Sequence, residues 1–267
     1  MDLNARFGMR TTPFTREVRV EELFLHPQWT EAVDALQRAV EGRQSAALVA
    51  PAGLGKTVAL RALRARLPEV RYAFRYVKVT SIGKRDMCRE IAATLGIAPV
   101  GTYPGLVRGV QEAVERLTSN DGVRTVLVLD EAHDMRPDVL GILRLLTNFS
   151  MDSRLILSVL LVGQPPLGAL LRRTELEDLA QRLSWFGVLR PLSRDEVVAY
   201  VRHRCAIAGA SSAVFDERAL EAIFEMGKGN PRATDELSRR SMEVAHAANV
   251  DRVTSQHVVS ARGQLAP

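Results

Sequence analysis

The sequence predicts an α/β protein in which a parallel sheet is covered by helices and is followed by a small, all-helical domain. Three observations support this prediction. Short apolar runs without period-two alternation recur up to about residue 190, as in strands buried on both faces. Helical patterns separate these runs, which indicates βαβ units and a parallel sheet. After Pro191 only helical patterns remain.

The predicted strands are the five apolar runs Ser45–Ala50, Arg75–Val79, Arg124–Leu129, Leu157–Gly163 and Trp185–Leu189. A helix is predicted over Lys56–Leu67, because its leucines fall on one face. The other helices predicted between strands are about Lys84–Leu95, Gly105–Leu117 and Asp138–Asn148.

Capping signals mark the helices of the C-terminal region. Ser193 and Glu196 form a capping box that opens a helix running to about Ala208. A second helix is predicted near Asp216. A third has Asn230 as its N-cap and Pro231 at its first position. A fourth is predicted after Thr254. We therefore predict an N-terminal extension over 1–28, an α/β core over 29–190 and a helical lid domain over 191–267.

Composition favours an ordinary globular protein, since 46% of the 267 residues are hydrophobic and 25% are charged. The sequence has no apolar run long enough to cross a membrane and no N-terminal signal core. Cys88 and Cys205 are isolated, which fits a reducing compartment, and we expect both to be buried as small hydrophobes. The sequence thus predicts a cytoplasmic protein without a membrane partner.

The net charge of +5 is unevenly distributed. Residues 61–89 carry nine Lys and Arg residues against only Glu69 and Asp86. Such a stretch is typical of proteins that contact phosphate backbones, but a solvated helix face explains it equally well.

A phosphate-binding loop follows the first predicted strand. The segment from Ala50 to Thr57 reads APAGLGKT, between a strand and a helix. Its glycines let backbone N–H groups face phosphates, Lys56 is expected to reach the β- and γ-phosphates, and the Thr57 hydroxyl to hold Mg²⁺. Ala50 replaces the first glycine of the pattern, which predicts slightly altered loop geometry. The residues predicted to bind ATP are Ala52, Gly53, Leu54, Gly55, Lys56, Thr57 and Val58.

Two carboxylates end the third predicted strand. Asp130 is expected in the Mg²⁺ shell, and Glu131 is expected to polarise the water that attacks ATP. The alternative, two acids that only cap a strand end, is weaker because the phosphate loop lies upstream. For His133, packing or hydrogen bonding is favoured over catalysis.

Three further polar residues are candidates for contact with the γ-phosphate. Gln164 follows the fourth strand, although it is alternatively a turn residue. Arg182 precedes the fifth strand and is a candidate to contact the γ-phosphate bound by a neighbouring subunit. Arg172 and Arg173 are the alternatives. Arg232 opens a helix, where its charge opposes the helix dipole and therefore favours an external anion.

The chain resembles the AAA+ ATPases of the ExeA and TniB/TnsC types over nearly its whole length. The shared segments are the phosphate loop, the acidic pair with its Ala-His, Leu145–Asn148, Leu161–Pro165, Leu179–Leu183, Pro191–Ser193, Gly229–Arg232 and, near the start, Phe7-Gly8 and Pro13-Phe14. The resemblance implies an AAA+ core with a helical lid, ATP hydrolysis, and assembly into a ring or helical filament.

The resemblance implies two alternative functions. ExeA-type secretion proteins carry a transmembrane segment and a wall-binding domain, and the sequence ends at Pro267 without either. Transposon-encoded members polymerise on DNA with ATP and direct a transposase. We therefore expect an ATPase that binds double-stranded DNA without sequence preference, through Lys84 and Arg85, and recruits a transposase. The alternative is a secretion or signalling ATPase that acts on proteins.

Overall fold

The computed structural model describes residues 3–15, 17–24, 26–149, 154–210 and 213–263. Their contacts divide the chain into two compact units. The core unit comprises Pro27–Ala52 and Lys56–Leu189. The helical unit comprises Met1–His26, Gly53–Gly55 and Arg190–Pro267.

The core unit is built on one parallel sheet, which within the described residues has five strands in the order β2-β3-β4-β1-β5. The strands are β1 (Ser45–Val49), β2 (Tyr72–Lys78), β3 (Arg124–Asp130), β4 (Leu157–Gly163) and β5 (Leu183–Val188). All five predicted strands are present. Two of them begin earlier than predicted, at Tyr72 and Leu183.

The helices of the core unit are α2 (Pro27–Glu41), α3 (Lys56–Arg66), α4 (Lys84–Thr94), α5 (Tyr103–Asn120), α6 (Pro137–Leu140), α7 (Ile142–Thr147), α8 (Pro166–Leu171) and α9 (Glu177–Gln181). The prediction of one helix over Asp138–Asn148 was wrong, because two short helices meet there at Gly141. Helix α2 was not predicted, although its buried side chains recur at helical spacing.

Burial explains the apolar character of the middle strands. Every residue of β1 and β4 is buried, as is every residue of β3 except Arg124. The edge strands β2 and β5 are less buried: most of their residues are partly or fully exposed. The core packs side chains of the sheet, such as Leu129 and Leu161, against helical residues such as Met87 and Leu143. Continuous apolar strands therefore lie at the centre of the sheet, where both faces are covered.

The helical unit contains α1 (Leu3–Arg6), α10 (Arg194–Ile207), α11 (Glu217–Gly227), α12 (Pro231–Ala247) and α13 (Ser255–Gly263). The predicted capping box of α10 is present, with Ser193 and Glu196 bonding reciprocally. Arg190 also bonds Glu196, and this contact, together with the Ser193 N–H and His26, holds the pKa of Glu196 well below its usual range. Asp216 caps α11, and Asn230 caps α12 with Pro231 at the first position.

The N-terminal segment packs within the helical unit. The backbone N–H of Arg10 donates to Ala208 O at 2.8 Å. The rings of Phe14 and Phe215 meet edge to face, with centroids 6.0 Å apart. Phe14 is buried, so this segment contributes apolar core to the helical unit.

A buried ion pair fastens this segment to α10 and α12. The Arg204 guanidinium donates to Asp235 Oδ2 at 3.2 Å, to the Tyr200 hydroxyl at 2.9 Å and to Thr15 O at 2.7 Å. It also lies over the Phe14 ring. Burial raises the pKa of Asp235 to about 6, although Arg204 opposes that rise. The carboxylate therefore depends on this cation for its charge at neutral pH.

Replacement of Arg204 by methionine should lower the free energy of unfolding by about 3–5 kcal/mol at pH 7.5, because it leaves a buried carboxylate unpaired. Without Arg204 the pKa of Asp235 rises further, so the folded variant binds the proton at higher pH than the wild type does. The difference between the two proteins should therefore be largest above pH 6 and shrink towards pH 5. Urea unfolding across this pH range measures it.

Arg202→Met is the matched control, because the Arg202 side chain is 62% exposed in its pair with Glu217. Such a surface pair contributes at most about 1 kcal/mol. Equal effects of the two substitutions, or a cost for Arg204→Met that does not change with pH, would contradict the role of the buried pair.

Candidate functional site

The sheet register brings the ends of three strands to one edge. Val49, at the end of β1, pairs with Gly163, at the end of β4. Leu129, next to the end of β3, pairs with Leu161. Because the strands are parallel, the loops that follow them start side by side. The phosphate loop, the acidic pair and Gln164 therefore share the carboxyl edge of the sheet.

The phosphate loop has the backbone conformation that its glycines allow. Gly53 and Gly55 have φ of 84° and 94°, in the left-handed region. Ala50 is fully buried, and its N–H donates to Gly163 O at 3.0 Å, which continues the pairing of β1 with β4. Ala50 thus extends the hydrogen bonding between β1 and β4. Its φ is not positive, so the position does not require a glycine.

Lys56 is a buried cation at the start of α3. Lys56 is only 7% exposed, and its Nζ donates to the carbonyl oxygens of Ala50 at 2.8 Å and Pro51 at 3.3 Å. An anionic phosphate would be a much stronger partner for the same nitrogen.

The loop tip Gly53–Gly55 clusters with the helical unit. There the N–H of Arg232 approaches Gly53 O at 3.4 Å. The Asn230 side chain occupies the space beside Gly53, so that an added Cβ would lie 2.5 Å from Asn230 Oδ1. The Arg232 side chain is exposed in the first turn of α12. Gly53 is therefore required both by its φ and by this close approach.

The acidic pair is held in two different ways. Asp130 is buried, and its Oδ1 accepts from the Glu131 N–H at 2.9 Å, while Oδ2 accepts from the Tyr76 hydroxyl at 2.7 Å. Glu131 has φ of 58°, which is uncommon for a residue with a side chain. Such backbone strain clusters at functional sites, where it fixes the direction of a side chain.

One carboxylate oxygen of Glu131, Oε2, is buried. Within the described part of the chain, Glu131 Oε2 has no hydrogen-bond partner. His133 Nδ1 lies 3.4 Å from this oxygen. That nitrogen instead accepts a hydrogen bond from the N–H of Gln164 at 3.3 Å, so it has no proton to donate to Glu131. A buried carboxylate oxygen without a donor suits the binding of a water molecule.

Gly163 explains how His133 reaches Gln164. A Cβ at Gly163 would lie 3.2 Å from the His133 backbone nitrogen and 3.0 Å from Leu167. The absence of a side chain lets β4 end directly beside the turn that follows Glu131. Neither the His133–Gln164 contact nor the Tyr76–Asp130 hydrogen bond was found from the sequence, because each joins residues of different strands or of the turns that follow them.

These residues fit a nucleoside triphosphate with Mg²⁺. The buried Lys56 ammonium and the positive-φ glycines suit phosphates. Glu131 Oε2, which has no hydrogen-bond partner among the described residues, suits a reacting water. Mg²⁺ prefers hard oxygen ligands and commonly takes only one or two from the protein, with phosphates supplying others. Asp130 and Thr57 offer such oxygens. Accordingly, the described residues contain no group of three or more His, Cys, Asp or Glu side chains suited to a metal on their own.

The arginine candidates lie elsewhere on the core unit. Arg182 immediately precedes β5, whose first residue, Leu183, pairs with Ser45 at the start of β1. Arg182 is therefore at the amino edge of the sheet, about 13 Å of strand away from the phosphate loop. Arg172 and Arg173 follow α8 and are exposed. The fold thus does not bring Arg182 to the nucleotide site of its own chain.

Lys84 and Arg85 open α4, beyond the end of β2. Both are exposed, and Lys84 Nζ lies 3.8 Å from Asp138 Oδ2. Arg85 donates through Nε and Nη2 to Gly101 O, at 3.1 and 2.9 Å. Arg85 therefore holds the loop before α5, whereas Lys84 makes only a weak surface pair.

Comparison with known families identifies this architecture. Residues 37–171 match the AAA domain family. The chain belongs to the AAA domain family. The expected fold, a five-stranded parallel AAA+ core with C-terminal helices, is confirmed, and the members of this family are nucleotide-hydrolysing ATPases.

One relative aligns along most of the chain. General secretion pathway protein A of Aeromonas hydrophila is 33% identical over 245 residues, an alignment that covers 90% of this chain and 44% of that protein. The chain thus spans less than half the length of this relative. In the described residues, no helix has the length and apolar character needed to cross a membrane.

Solved structures share the fold at low sequence identity. The ORC1 protein of Aeropyrum pernix, in complex with DNA, superposes with a TM-score of 0.70 at 20% identity, over 96% of this chain and 69% of that one. Cdc6p of Pyrobaculum aerophilum gives 0.69 at 20% identity, over 99% and 71%. The RuvB Holliday junction branch migration motor of Thermotoga maritima gives 0.62 at 18% identity, over 94% and 72%. These similarities concern the fold alone.

Gly53→Ala should weaken ATP binding by more than about tenfold, which corresponds to ~1.4 kcal/mol. The new Cβ forces a strained φ and displaces Asn230 from beside the loop. Fluorescence titration with a labelled ATP analogue measures the affinity.

Gly96→Ala is the matched control, because Gly96 also has a positive φ, of 72°, but has open space around it. It should reduce stability without changing affinity. Asn230→Ala should partly restore binding to the Gly53→Ala protein. Wild-type affinity in Gly53→Ala would disprove the importance of the close approach.

Proposed function

We propose that the protein hydrolyses ATP with Mg²⁺ and that Glu131 is the catalytic base. The observation that carries this proposal is the buried Oε2 of Glu131, which has no hydrogen-bond partner among the described residues and lies at the same sheet edge as the buried Lys56 ammonium. Lys56 neutralises negative charge on the phosphates, while the glycine-rich loop donates backbone N–H groups. Mg²⁺ supplies further charge neutralisation when bound, with Asp130 and Thr57 as its protein ligands. Gln164 and Arg232 are proposed to contact the γ-phosphate.

Glu131→Gln should reduce ATP turnover at least about 100-fold, because an amide cannot accept the proton of the attacking water. Nucleotide affinity should remain, since Lys56 and the loop are unchanged. Phosphate release and labelled-nucleotide binding measure the two quantities. Asp134→Asn, which removes a nearby carboxylate that is 53% exposed, is the matched control and should hydrolyse normally. Turnover by Glu131→Gln at the wild-type rate would remove its assigned role.

We propose that ATP binding drives assembly of the protein on double-stranded DNA, where it recruits or activates a transposase in the cytoplasm. Two features support this proposal. The shared segments resemble transposition ATPases, and the stretch from 61 to 89 is strongly basic. Lys84 is the principal candidate for phosphate contact, and Arg85 a second. Contacts of this kind carry little sequence preference, as suits a protein that must accept many targets.

We propose further that the active oligomer is a ring or helical filament of this chain. Arg182 lies at the sheet edge opposite its own phosphate loop, so it would serve the nucleotide of a neighbouring copy. Arginines supplied in this way stabilise negative charge that develops during phosphoryl transfer. Arg172 and Arg173 remain the alternative donors.

A secretion ATPase that acts on protein partners is the second candidate. It is favoured by the 33% identity to General secretion pathway protein A over 90% of this chain. A protein of this kind would use the same site for hydrolysis but would need no DNA. Binding to DNA therefore separates the two functions.

Binding to a labelled duplex in the presence of ATP should weaken as salt rises, with a slope of about −1.8 per subunit in log K against log salt. That slope corresponds to about two neutralised phosphates per subunit. Lys84→Ala with Arg85→Ala should flatten the slope and abolish DNA-stimulated assembly, while ATP binding at Lys56 persists. Fluorescence anisotropy across a salt series and mass measurements with ATP test both effects.

Lys84→Ala alone is the control, because it leaves the Arg85–Gly101 hydrogen bonds in place. If charge is responsible, Lys84→Ala alone should flatten the slope about half as much as the double substitution does. If only loss of Arg85 matters, the effect arises from the loop before α5 instead. Salt-independent binding, or none at low salt, would exclude the DNA function and favour the secretion candidate.

A further inference from the structure

The hydroxyl of Tyr76 contacts the acidic pair from the neighbouring strand. Tyr76 lies on β2 opposite Val128 of β3, and Lys78 lies opposite Asp130. Residues two positions apart diagonally across paired strands are within reach of an aromatic side chain. The Tyr76 hydroxyl accordingly donates to Asp130 Oδ2 at 2.7 Å. The tyrosine is 44% exposed on an edge strand, whereas Asp130 is buried.

The contact completes the anchoring of the Asp130 carboxylate. Oδ1 already accepts from the Glu131 N–H at 2.9 Å. Rotation of the carboxylate would break one or both hydrogen bonds, and bonds to a charged group are stronger than neutral ones. The phenol O–H is the donor in this contact, because an ionised carboxylate can only accept.

We propose that Tyr76 is a positioning residue that orients the Asp130 carboxylate for Mg²⁺. The inference rests on the proposed assignment of Asp130 to the metal. Hydrogen bonds from outside the ligand set commonly fix ligand direction, and their loss lowers metal affinity by about 10–100-fold. Because Tyr76 is partly exposed, water can replace its hydroxyl in part, and the lower end of that range applies. A purely structural tyrosine would affect stability without affecting the metal.

The test measures how strongly Mg²⁺ promotes nucleotide binding. The affinity for a labelled ATP analogue is determined with Mg²⁺ and with EDTA, in the wild type and in Tyr76→Phe. The variant should bind the analogue normally in EDTA. With Mg²⁺ its affinity gain should be about tenfold smaller, and the Mg²⁺ concentration for half-maximal hydrolysis should rise to match.

Tyr72→Phe is the matched control. Tyr72 lies on the same strand and the same face, but it pairs with Arg124 at the opposite end of β3. Tyr72→Phe should show the same gain in affinity for the analogue with Mg²⁺ as the wild type. In an Asp130→Asn background, Tyr76→Phe should add less than a twofold change, because the carboxylate that it orients is gone.

Three results would overturn the inference. One is an unchanged effect of Mg²⁺ in Tyr76→Phe, and another is an equal loss in Tyr72→Phe. The third is a loss of affinity in EDTA as large as the loss with Mg²⁺, which would indicate general damage to the site. If Asp130→Asn itself retains the wild-type effect of Mg²⁺, the metal assignment in the proposed function fails, and the inference fails with it.

Discussion

The parallel hydrogen bonding of β3, β4 and β1 is the constraint on which the rest of the structure depends. These strands are buried on both faces, so their backbone groups must pair with one another. Pairing in this register places Val49 beside Gly163 and Leu129 beside Leu161. The phosphate loop and the acidic pair consequently start from neighbouring strand ends. A shift in register would separate them, although each sequence motif would be unchanged.

Charged groups at this edge are held in place before any ligand arrives. Lys56 is directed at two loop carbonyls, and the Asp130 carboxylate is fixed at both oxygens. Glu131 adopts a left-handed backbone conformation, and within the part of the chain that the structure describes its buried Oε2 has no hydrogen-bond partner. The left-handed backbone of Glu131 costs free energy in the folded protein. Fixed groups of this kind stabilise charge effectively, because little reorganisation is needed when a reaction proceeds.

The two units are stabilised by different interactions. The core unit depends on apolar packing between a covered sheet and its helices. The helical unit combines capped helices with a buried network, in which Arg204 joins Asp235 to the N-terminal segment. Burial raises the pKa of Asp235, so the network depends on its cation. The N-terminal residues therefore stabilise the helical unit, although they are distant in sequence from the helices that they contact.

Local patterns in the sequence determined the elements of this protein. Apolar runs predicted all five strands of the sheet, and the residues Ser193, Asp216 and Asn230 marked helix starts through their own capping hydrogen bonds. Motif spacing likewise selected Lys56, Asp130 and Glu131 as candidate site residues, and their roles stay predictions. In contrast, the break at Gly141 was missed, and so was the amphipathic helix Pro27–Glu41, although its buried side chains recur at helical spacing.

Contacts between residues distant in sequence were decided only by the tertiary structure. The hydrogen bond from Tyr76 to Asp130 depends on strand order and register, which no local pattern encodes. The same holds for His133 with Gln164, and for Arg204 with Thr15. Arg182 is placed at the opposite sheet edge by the direction of β5. Short-range propensities fix which residues form strands and helices, but long-range packing selects which of their side chains meet.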